Sequence, residues 1–248
     1  MKLLTALEDI SKHVSKIQHL AGVKLIPAAN GCGVEAKDTK NLLCMHAQLN
    51  EGVEGLTETV GLGDEPLLRS VLKSPGFRSA DAKAIFHPKS TSYPPFAVLS
   101  NDRGQDHMHQ FMTESYIDQV MKVPSLRGGI PFEVLVQPTK EGIDLLKYWF
   151  AEWQEYGEDY VDFATANGDL VCEFAGALRQ RTRFAFQRRV TGTLGSCVRI
   201  EAEQLLRILD LTSTSKSVVL GVSSVGGVKL EVDSGAGLYR YVMAGRLR

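Results

Sequence analysis

The sequence predicts an α+β fold made of two repeated units, each ordered as helix, strands, helix and strands. A Leu-Leu-Arg tripeptide occurs at Leu67–Arg69 and recurs at Leu205–Arg207. An Ala-Asn-Gly turn at Ala29–Gly31 recurs, after nearly the same interval, at Ala166–Gly168. An amphipathic helix precedes each turn, and the apolar positions of the two helices are separated by that interval too. Three anchors at nearly one offset indicate an internal duplication.

The first half begins with a predicted helix over residues 2–19, because apolar residues recur there at helical spacing. A second helix follows the entry turn at 61–64. Pro66 suits its first turn, and Pro75-Gly76 ends it. Alternating apolar and polar residues between turn residues predict the strands of this half, at residues 23–29, 33–38, 41–49, 82–87, 95–100 and 107–112.

The second half follows a stretch rich in proline and glycine, MKVPSLRGGIP, which ends at Pro131. We predict a first domain over 1–114, a surface connector over 115–131 and a second domain over 132–248. The run Ser196–Leu211 predicts a short strand that feeds a helix. The other helix of this half is predicted over 138–156, and the strands at 132–137, 160–166, 170–174, 181–189, 216–223, 228–232 and 238–243.

Composition narrows the class of protein. The chain has 248 residues, of which 44% are apolar and 23% charged, as in ordinary globular proteins. A net charge of −1 argues against nucleic-acid binding by the whole surface, although a local basic face remains possible. Four cysteines without CxxC spacing favour a reduced, cytoplasmic setting. No apolar run approaches the ~20 residues that a membrane span needs.

The order and spacing of these elements resemble the DNA sliding clamps, the processivity factors that include proliferating cell nuclear antigen and the clamp of T-even bacteriophages. The strand-then-helix run CVRIEAEQLLRIL at Cys197–Leu209 is similar to the second-helix sequence of clamps. The resemblance covers nearly the whole chain and is closer to the phage clamps than to the cellular ones. One departure is that the second half has a leading strand, 132–137, which the first half lacks or shortens.

The resemblance implies a ring-forming fold of six domains, and hence a homotrimer of this two-domain chain. Helices would line a central hole around duplex DNA, and antiparallel sheets would form the outside. The helical wheels independently collect cations on the polar faces and place acidic residues largely elsewhere, although Asp144, Glu155 and Glu158 dilute the third helix. The alternative is that these are ordinary solvated faces. The predicted DNA-facing residues are Lys12, Lys16, Arg69, Lys73, Lys140, Lys147, Arg207 and Lys216.

Ring closure needs a free sheet edge at each end of the chain's arc. We predict that residues 107–112 end the sheet of the first half and 181–189 that of the second, and that they pair antiparallel between subunits. The alternative for their apolar side chains is a place in the core. The predicted subunit-contact residues are His107, His109, Phe111, Arg183, Phe184 and Phe186.

The resemblance also implies that partner proteins, a DNA polymerase and a clamp loader, dock short peptides beside the connector. Flexible apolar surface suits several partners. The alternative is that these residues pin the connector to the sheets. The predicted pocket residues are Leu42, Met121, Val123, Leu126, Ile130, Pro131, Tyr241 and Met243.

The sequence contains no complete catalytic or metal-binding motif. The pairs His107-x-His109 and Cys44-x-His46 alternate as strand residues do and have no second ligand pair. The Gly61–Gly63 stretch lacks a full phosphate-loop sequence, and no GxSxG or HExxH pattern occurs. We therefore predict a scaffold with no metal, cofactor or enzymatic activity, in the cytoplasm (of a host cell if viral). The alternatives are a clamp-related interaction module that forms no ring, and a duplicated α+β enzyme with a site between its halves.

Overall fold

A computed structural model describes residues 1–122, 129–176 and 180–248 of the chain. The elements in these ranges are helices and antiparallel strands. The chain divides into two units. The first comprises Met1–Pro124 and Ser234–Tyr239, and the second Ser125–Asp233 and Arg240–Arg248. A short late segment of the chain therefore belongs to the first unit.

Five α-helices occur in the described residues. Two of them begin at a side-chain cap, because Asp64 accepts a hydrogen bond from the Leu67 amide and Thr139 accepts one from the Gly142 amide. Within these ranges no helix is long and apolar enough to cross a membrane. The helices are α1 (Leu3–Val14), α2 (Glu65–Lys73), α3 (Glu114–Val120), α4 (Lys140–Gln154) and α5 (Ala202–Leu209).

The first unit contains one antiparallel sheet, whose strands run in the order β5-β6-β7-β4-β1-β2-β3. The longest ladder joins β1 to β2, from Leu20↔Asp38 to Ala28↔Gly31. Because one face of each strand is buried, apolar residues alternate along β2 and β3. The strands are β1 (Leu20–Ala28), β2 (Gly31–Asp38), β3 (Leu43–Leu49), β4 (Val60–Leu62), β5 (Lys83–His87), β6 (Phe96–Ser100) and β7 (Asp106–Thr113).

The second unit contains two sheets, in the orders β11-β10-β9-β12-β16 and β15-β14-β13-β8. Asn167 (φ 52°) and Gly168 (φ 81°) form the tight turn between β9 and β10, which requires positive φ at both positions. The strands are β8 (Val134–Val136), β9 (Tyr160–Ala166), β10 (Asp169–Ala175), β11 (Arg181–Gln187), β12 (Val198–Glu201), β13 (Ser217–Ser223), β14 (Gly227–Asp233), β15 (Gly237–Ala244) and β16 (Arg246–Leu247).

The two units repeat one order of elements, which confirms the predicted duplication. A long helix (α1 or α4) leads into three strands, a short strand (β4 or β12) and a second helix (α2 or α5). A 3₁₀ turn follows in each, at Pro75–Arg78 and Asp210–Ser213, and then three more strands, after which the second unit adds the two-residue β16. The second unit also has β8 ahead of its long helix. Its predicted extent of six residues is too long, because only Val134–Val136 pair with β13.

The prediction that a surface connector begins at residue 115 is wrong, since residues 114–120 form α3. Ile117 is fully buried and packs on β4, where a Cβ on Gly61 would lie 2.9 Å from its side chain. Only a glycine permits this close approach. Asp118 pairs with Lys24 of β1. The start of the connector is thus a packed part of the first unit, and residues 123–128 lie outside the described residues.

Candidate DNA-facing and subunit-contact surfaces

A buried polar contact joins α1 to α2 in the first unit. The Ser11 hydroxyl donates to Glu65 Oε1 over 2.8 Å, and both side chains are buried. Arg69 Nε lies 3.9 Å from the same carboxylate oxygen. A buried carboxylate needs such partners, because its charge is costly to remove from water. Glu65 therefore neutralises part of the charge that Arg69 was predicted to offer to DNA.

Two of the predicted DNA-facing cations of the first unit, Lys12 and Lys73, lie outside its ion pairs. Lys12 is half-buried on α1, Lys73 is exposed at the end of α2, and neither makes an ion pair within residues 1–122 or the other described ranges. Lys16 lies just after α1, which ends at Val14, and is also half-buried. These lysines are the strongest candidates for phosphate contacts in this unit.

The two lysines of α4 are paired with carboxylates. Lys140 Nζ lies 2.9 Å from Asp144 Oδ2 one turn along the helix, and this hydrogen bond raises the pKa of the lysine. Lys147 Nζ lies 2.7 Å from Asp210 Oδ1, in the 3₁₀ turn after α5. Exposed ion pairs of this kind contribute little stability, but they lower the net positive charge of the surface.

Arg207 of α5 is paired in the same way, since its guanidinium donates to Glu203 Oε1 over 2.8 and 3.0 Å. Lys216, after the 3₁₀ turn, is exposed and has no ion-pair partner in the part of the chain described. The expectation that acidic residues lie largely away from the cations is wrong for α4 and α5. Their acids occupy the same surface.

One edge of β7 is open along its first half. β6 pairs with Asp106–Gln110, whereas β4, on the other side, pairs with Phe111–Thr113. The Phe111 amide donates to Pro95 O over 2.9 Å, so by alternation His107 and His109 also direct their backbone groups at β6. The backbone groups of Met108 and Gln110 consequently face away from β6, toward the open edge. The prediction that this strand ends the sheet is wrong, since β7 is internal; the free edge is confined to its first five residues.

A cavity of about 550 Å³ lies beside this edge. Its rim carries three exposed apolar side chains, Leu67 (48% exposed), Met108 (66%) and Tyr116 (55%). Leu205, the repeat counterpart of Leu67, is fully buried in α5. The difference between the two Leu-Leu-Arg tripeptides shows that this part of the first unit presents apolar surface.

In the second unit, β11 is the terminal strand of its sheet. The Gly176 amide donates to Gln180 O over 3.0 Å, which by alternation directs the backbone groups of Thr182 and Phe184 at β10. Those of Arg183 and Ala185 therefore face the free edge.

The side chains predicted for subunit contact differ widely in exposure. His109, Phe111 and Phe186 are buried, at 3%, 1% and 1%, and belong to the cores of their units. His107 and Phe184 are half-buried and Arg183 is exposed. Burial, with a smaller contribution from His107, lowers the pKa of His109 to about 4, so this imidazole is neutral at pH 7.

The predicted pocket residues fall into different environments. Met121 is buried beside Gly22 in the first unit, and Tyr241 and Met243 are buried in the second, so these three present no surface to a peptide. Leu42 (44%) and Ile130 (37%) are exposed. Pro131 is exposed as well, whereas Val123 and Leu126 lie outside the described residues.

The described residues include no set of side chains placed to hold a metal ion. Within the three described ranges, no cluster of three or more His, Cys, Asp or Glu side chains occurs. The His107 and His109 rings are 6.2 Å apart at their centroids and share their strand face with core residues. Burial raises the pKa of the Cys32 thiol to about 11, which makes it a poor nucleophile at pH 7.

No protein-family model and no curated protein sequence matches this chain. Solved structures do. Proliferating cell nuclear antigen (PCNA) from Entamoeba histolytica superposes with a TM-score of 0.70 at 11% identity, over 98% of this chain and 96% of that one. The chain has the sliding-clamp fold. A. fulgidus PCNA, solved with the C-terminal region of FEN-1 bound, gives 0.69 at 13% identity over 100% and 97%. The PCNA2–PCNA3 complex of Sulfolobus tokodaii gives 0.68 at 12% over 99% and 98%.

Proposed function

We propose that this protein is a sliding clamp, of which three copies close a ring around duplex DNA and hold a replicative polymerase on it. The observation that carries the proposal is the match of the clamp fold over at least 98% of the chain. A fold can serve many functions, so the case also depends on surfaces that a ring would need. The closer resemblance to phage clamps stays a prediction from the sequence, as does the cytoplasmic location.

Two free strand edges support closure of a ring. The first half of β7 and the whole of β11 each present unpaired backbone donors and acceptors, through Met108 and Gln110 on one strand and Arg183 and Ala185 on the other. We infer that β7 of one copy pairs antiparallel with β11 of the next. Leu67, Met108 and Tyr116 would then be covered by the neighbouring copy. This would satisfy both edges, which otherwise invite aggregation.

The lysines outside the ion pairs support contact with DNA. Lys12, Lys73 and Lys216 would meet phosphates without reading bases. Such contacts are exchangeable and screened by salt, and they allow sliding because none of them fixes one register. Retention would come from the closed ring. Because the ring and not the charge would keep the protein on DNA, a net charge of −1 is compatible with this function.

Peptide-bearing partners and the lack of catalysis are part of the same proposal. One structural neighbour was solved with the C-terminal region of FEN-1 and another as a complex of two PCNA chains, which supports self-association and peptide docking here. We propose a polymerase and an ATP-driven loader as the peptide partners, with Leu42, Ile130 and Pro131 as exposed contacts. The protein itself would be a scaffold without enzymatic activity.

One observation favours the alternative of a clamp-related module that forms no ring. Lys140, Lys147 and Arg207 are all paired with acids, which offsets the charge of three of the four DNA-facing cations predicted for the second unit. Light scattering at micromolar concentration separates the two. A mass near three times the 27.2 kDa chain is expected for the clamp. A mass that stays at 27.2 kDa with circular DNA and loader present would reject the ring.

Retention on DNA provides the functional readout. A closed ring is expected to stay on nicked circular duplex in high salt and to slide off after the circle is cut once, because only topology holds it there. Equal loss from circular and linear DNA would contradict the proposed mechanism, whatever the oligomeric state.

A further inference from the structure

Among the described residues, no strand pairs with the outer edge of β5. β5 is the terminal strand of the sheet and pairs only with β6, from Lys83↔Ser100 to His87↔Phe96. Since Pro95 O accepts from β7, the backbone groups of Phe96, Val98 and Ser100 face β5 by alternation. Lys83, Ile85 and His87 bond to them. The amides and carbonyls of Ala84 and Phe86 therefore face outward, and no described residue bonds to them.

The second unit shows what covers the equivalent edge. There β13, which follows α5 as β5 follows α2, pairs with β8 through Val134↔Val222, Leu135↔Gly221 and Val136↔Leu220. Val134 and Val136 are buried, at 0% and 7%, whereas Leu135 is 50% exposed. A three-residue strand with apolar first and third residues thus completes this edge of the repeated unit.

A cavity lies where the corresponding strand would be in the first unit. Its volume is about 540 Å³, a size typical of ligand-binding pockets. Apolar side chains of α1, the 3₁₀ turn and β5 line it, namely Leu3, Leu4, Phe77 and Phe86. The outward backbone groups of β5 and this apolar lining together match the needs of an added strand, for which backbone bonds give affinity and alternate side chains give specificity.

The charged residues around the cavity define the ends of the occupant. Lys2, Arg78 and Lys83 line it together with Glu8 and Glu54, a net excess of one positive charge. β5 begins at Lys83 and is followed by Pro88, which restricts the pairing to a short segment. An apolar segment with an acidic residue next to it therefore complements the cavity better than a basic one.

We propose that the β5 edge binds an extended segment of a partner protein, with apolar residues at two alternate positions and an acidic residue beside them. The segment would pair antiparallel with β5, as β8 does with β13, and place its two apolar side chains on the Phe77 and Phe86 side of the strand. This surface uses neither β7 nor β11, so it is separate from the edges that would close a ring.

The test uses a probe taken from the chain itself, the peptide PFEVLVQ of residues 131–137, with a fluorescent label. Ala84→Pro removes the outward amide and leaves the bonds to β6 in place, whereas Ala84→Ser at the same position keeps the amide. We expect the peptide to bind wild type and Ala84→Ser, and to bind Ala84→Pro at least about tenfold more weakly. A peptide with Val134→Asp and Val136→Asp is expected not to bind.

Hydrogen exchange on the wild-type protein gives a measurement that needs no variant. Bound peptide is expected to slow exchange of the Ala84 and Phe86 amides. Failure of the peptide to bind wild type at millimolar concentration, or undiminished binding by Ala84→Pro, would overturn the proposal. Loss of a wild-type oligomer in Ala84→Pro would also overturn it, because β5 would then pair with a second copy. A normal ring with no peptide binding would reject this inference and leave the clamp proposal intact.

Discussion

The imidazole of His13 stacks on the phenol ring of Tyr239, with 3.6 Å between ring centroids and 4° between planes. Asp9, one turn earlier on α1, accepts a 2.7 Å hydrogen bond from the Tyr239 hydroxyl and a 2.9 Å bond from Ser234. His13 and Asp9 of α1 thus contact a segment that lies more than 220 residues later in the sequence. These contacts place Ser234–Tyr239 in the first unit.

Acid should weaken this attachment. Burial, with Lys12 and Lys16 as smaller causes, lowers the pKa of His13 from 6.5 to about 3. Between these two pKa values the unfolded chain binds a proton at His13 that the native state does not bind. The free energy of unfolding therefore falls as pH falls from ~6.5 toward 3, by about 1.4 kcal/mol per pH unit at most. Urea titrations at pH 7, 6 and 5 measure how the free energy of unfolding changes with pH. We expect this change to be smaller in His13→Phe than in wild type, by the equivalent of about one bound proton.

Tyr239→Phe is the matched control for that experiment. It keeps the imidazole and the stacked ring but loses the hydrogen bond to Asp9, at a cost of about 1 kcal/mol at every pH. Its pH slope should equal that of wild type. An unchanged slope in His13→Phe would show that this histidine binds its proton over the same pH range in the native state as in the unfolded chain. His109, whose pKa is lowered in the same sense, remains in both variants.

Asp162 is expected to be the most sensitive charged residue of the second unit. It is 3% exposed and accepts bonds from Arg199 Nε at 2.8 Å and Arg248 Nη1 at 2.7 Å. Asp162→Asn would leave two guanidinium groups without their shared anion, at a cost of roughly 3 kcal/mol. Glu231→Gln breaks the more exposed pair with Arg240 and should cost less than about 1 kcal/mol. Equal losses in urea unfolding would contradict the assigned role of burial.

Proline at an outward-facing amide should open the ring without unfolding a unit. In Met108→Pro the bonds from β7 to β6 remain, but the edge proposed for β11 of the next copy is blocked. Light scattering is expected to show a mass near 27.2 kDa, whereas Met108→Thr, which keeps the amide, should retain the larger mass. Ala185→Pro on β11 should behave like Met108→Pro. A full-size oligomer in both proline variants would exclude these edges as the contact.

The lysines should differ in their effect on DNA binding. Lys73 has no ion pair within the described residues, whereas Lys147 lies 2.7 Å from Asp210. Lys73→Ala is therefore expected to lower the slope of log K against log salt by about one on a short duplex. Lys147→Ala should change it less, since its charge is already offset. A larger change for Lys147→Ala would show that DNA displaces the Asp210 partner.

The repeat and most elements could be predicted because they rest on local patterns. The stripes of α1, α4 and α5 and the alternation of β9–β11 are visible within a few residues. α3 was missed because Ile117 is its one buried residue, too little to make a stripe. β4 was missed because its three residues lie between glycine-rich turns.

The charge distribution could not be predicted, because it depends on contacts between distant residues. Lys147 and Asp210 lie on different elements, far apart in the sequence, and no local pattern pairs them. The same holds for the edge of β7, where pairing with β4 is fixed by the tertiary fold. The unusual exposure of Leu67 could not be inferred either, since its tripeptide is identical to the one that buries Leu205.

The membership of Ser234–Tyr239 in the first unit has a consequence for biosynthesis. A ribosome makes the chain from the amino end, so α1 emerges early, while Tyr239 appears only shortly before Arg248. The contacts of His13 and Asp9 with Ser234 and Tyr239 cannot form until almost all of the second unit has been translated. Domains usually fold one after another as they leave the ribosome. Here the earlier unit is completed only after most of the second unit has been translated, and any nascent chain released before Tyr239 leaves it incomplete.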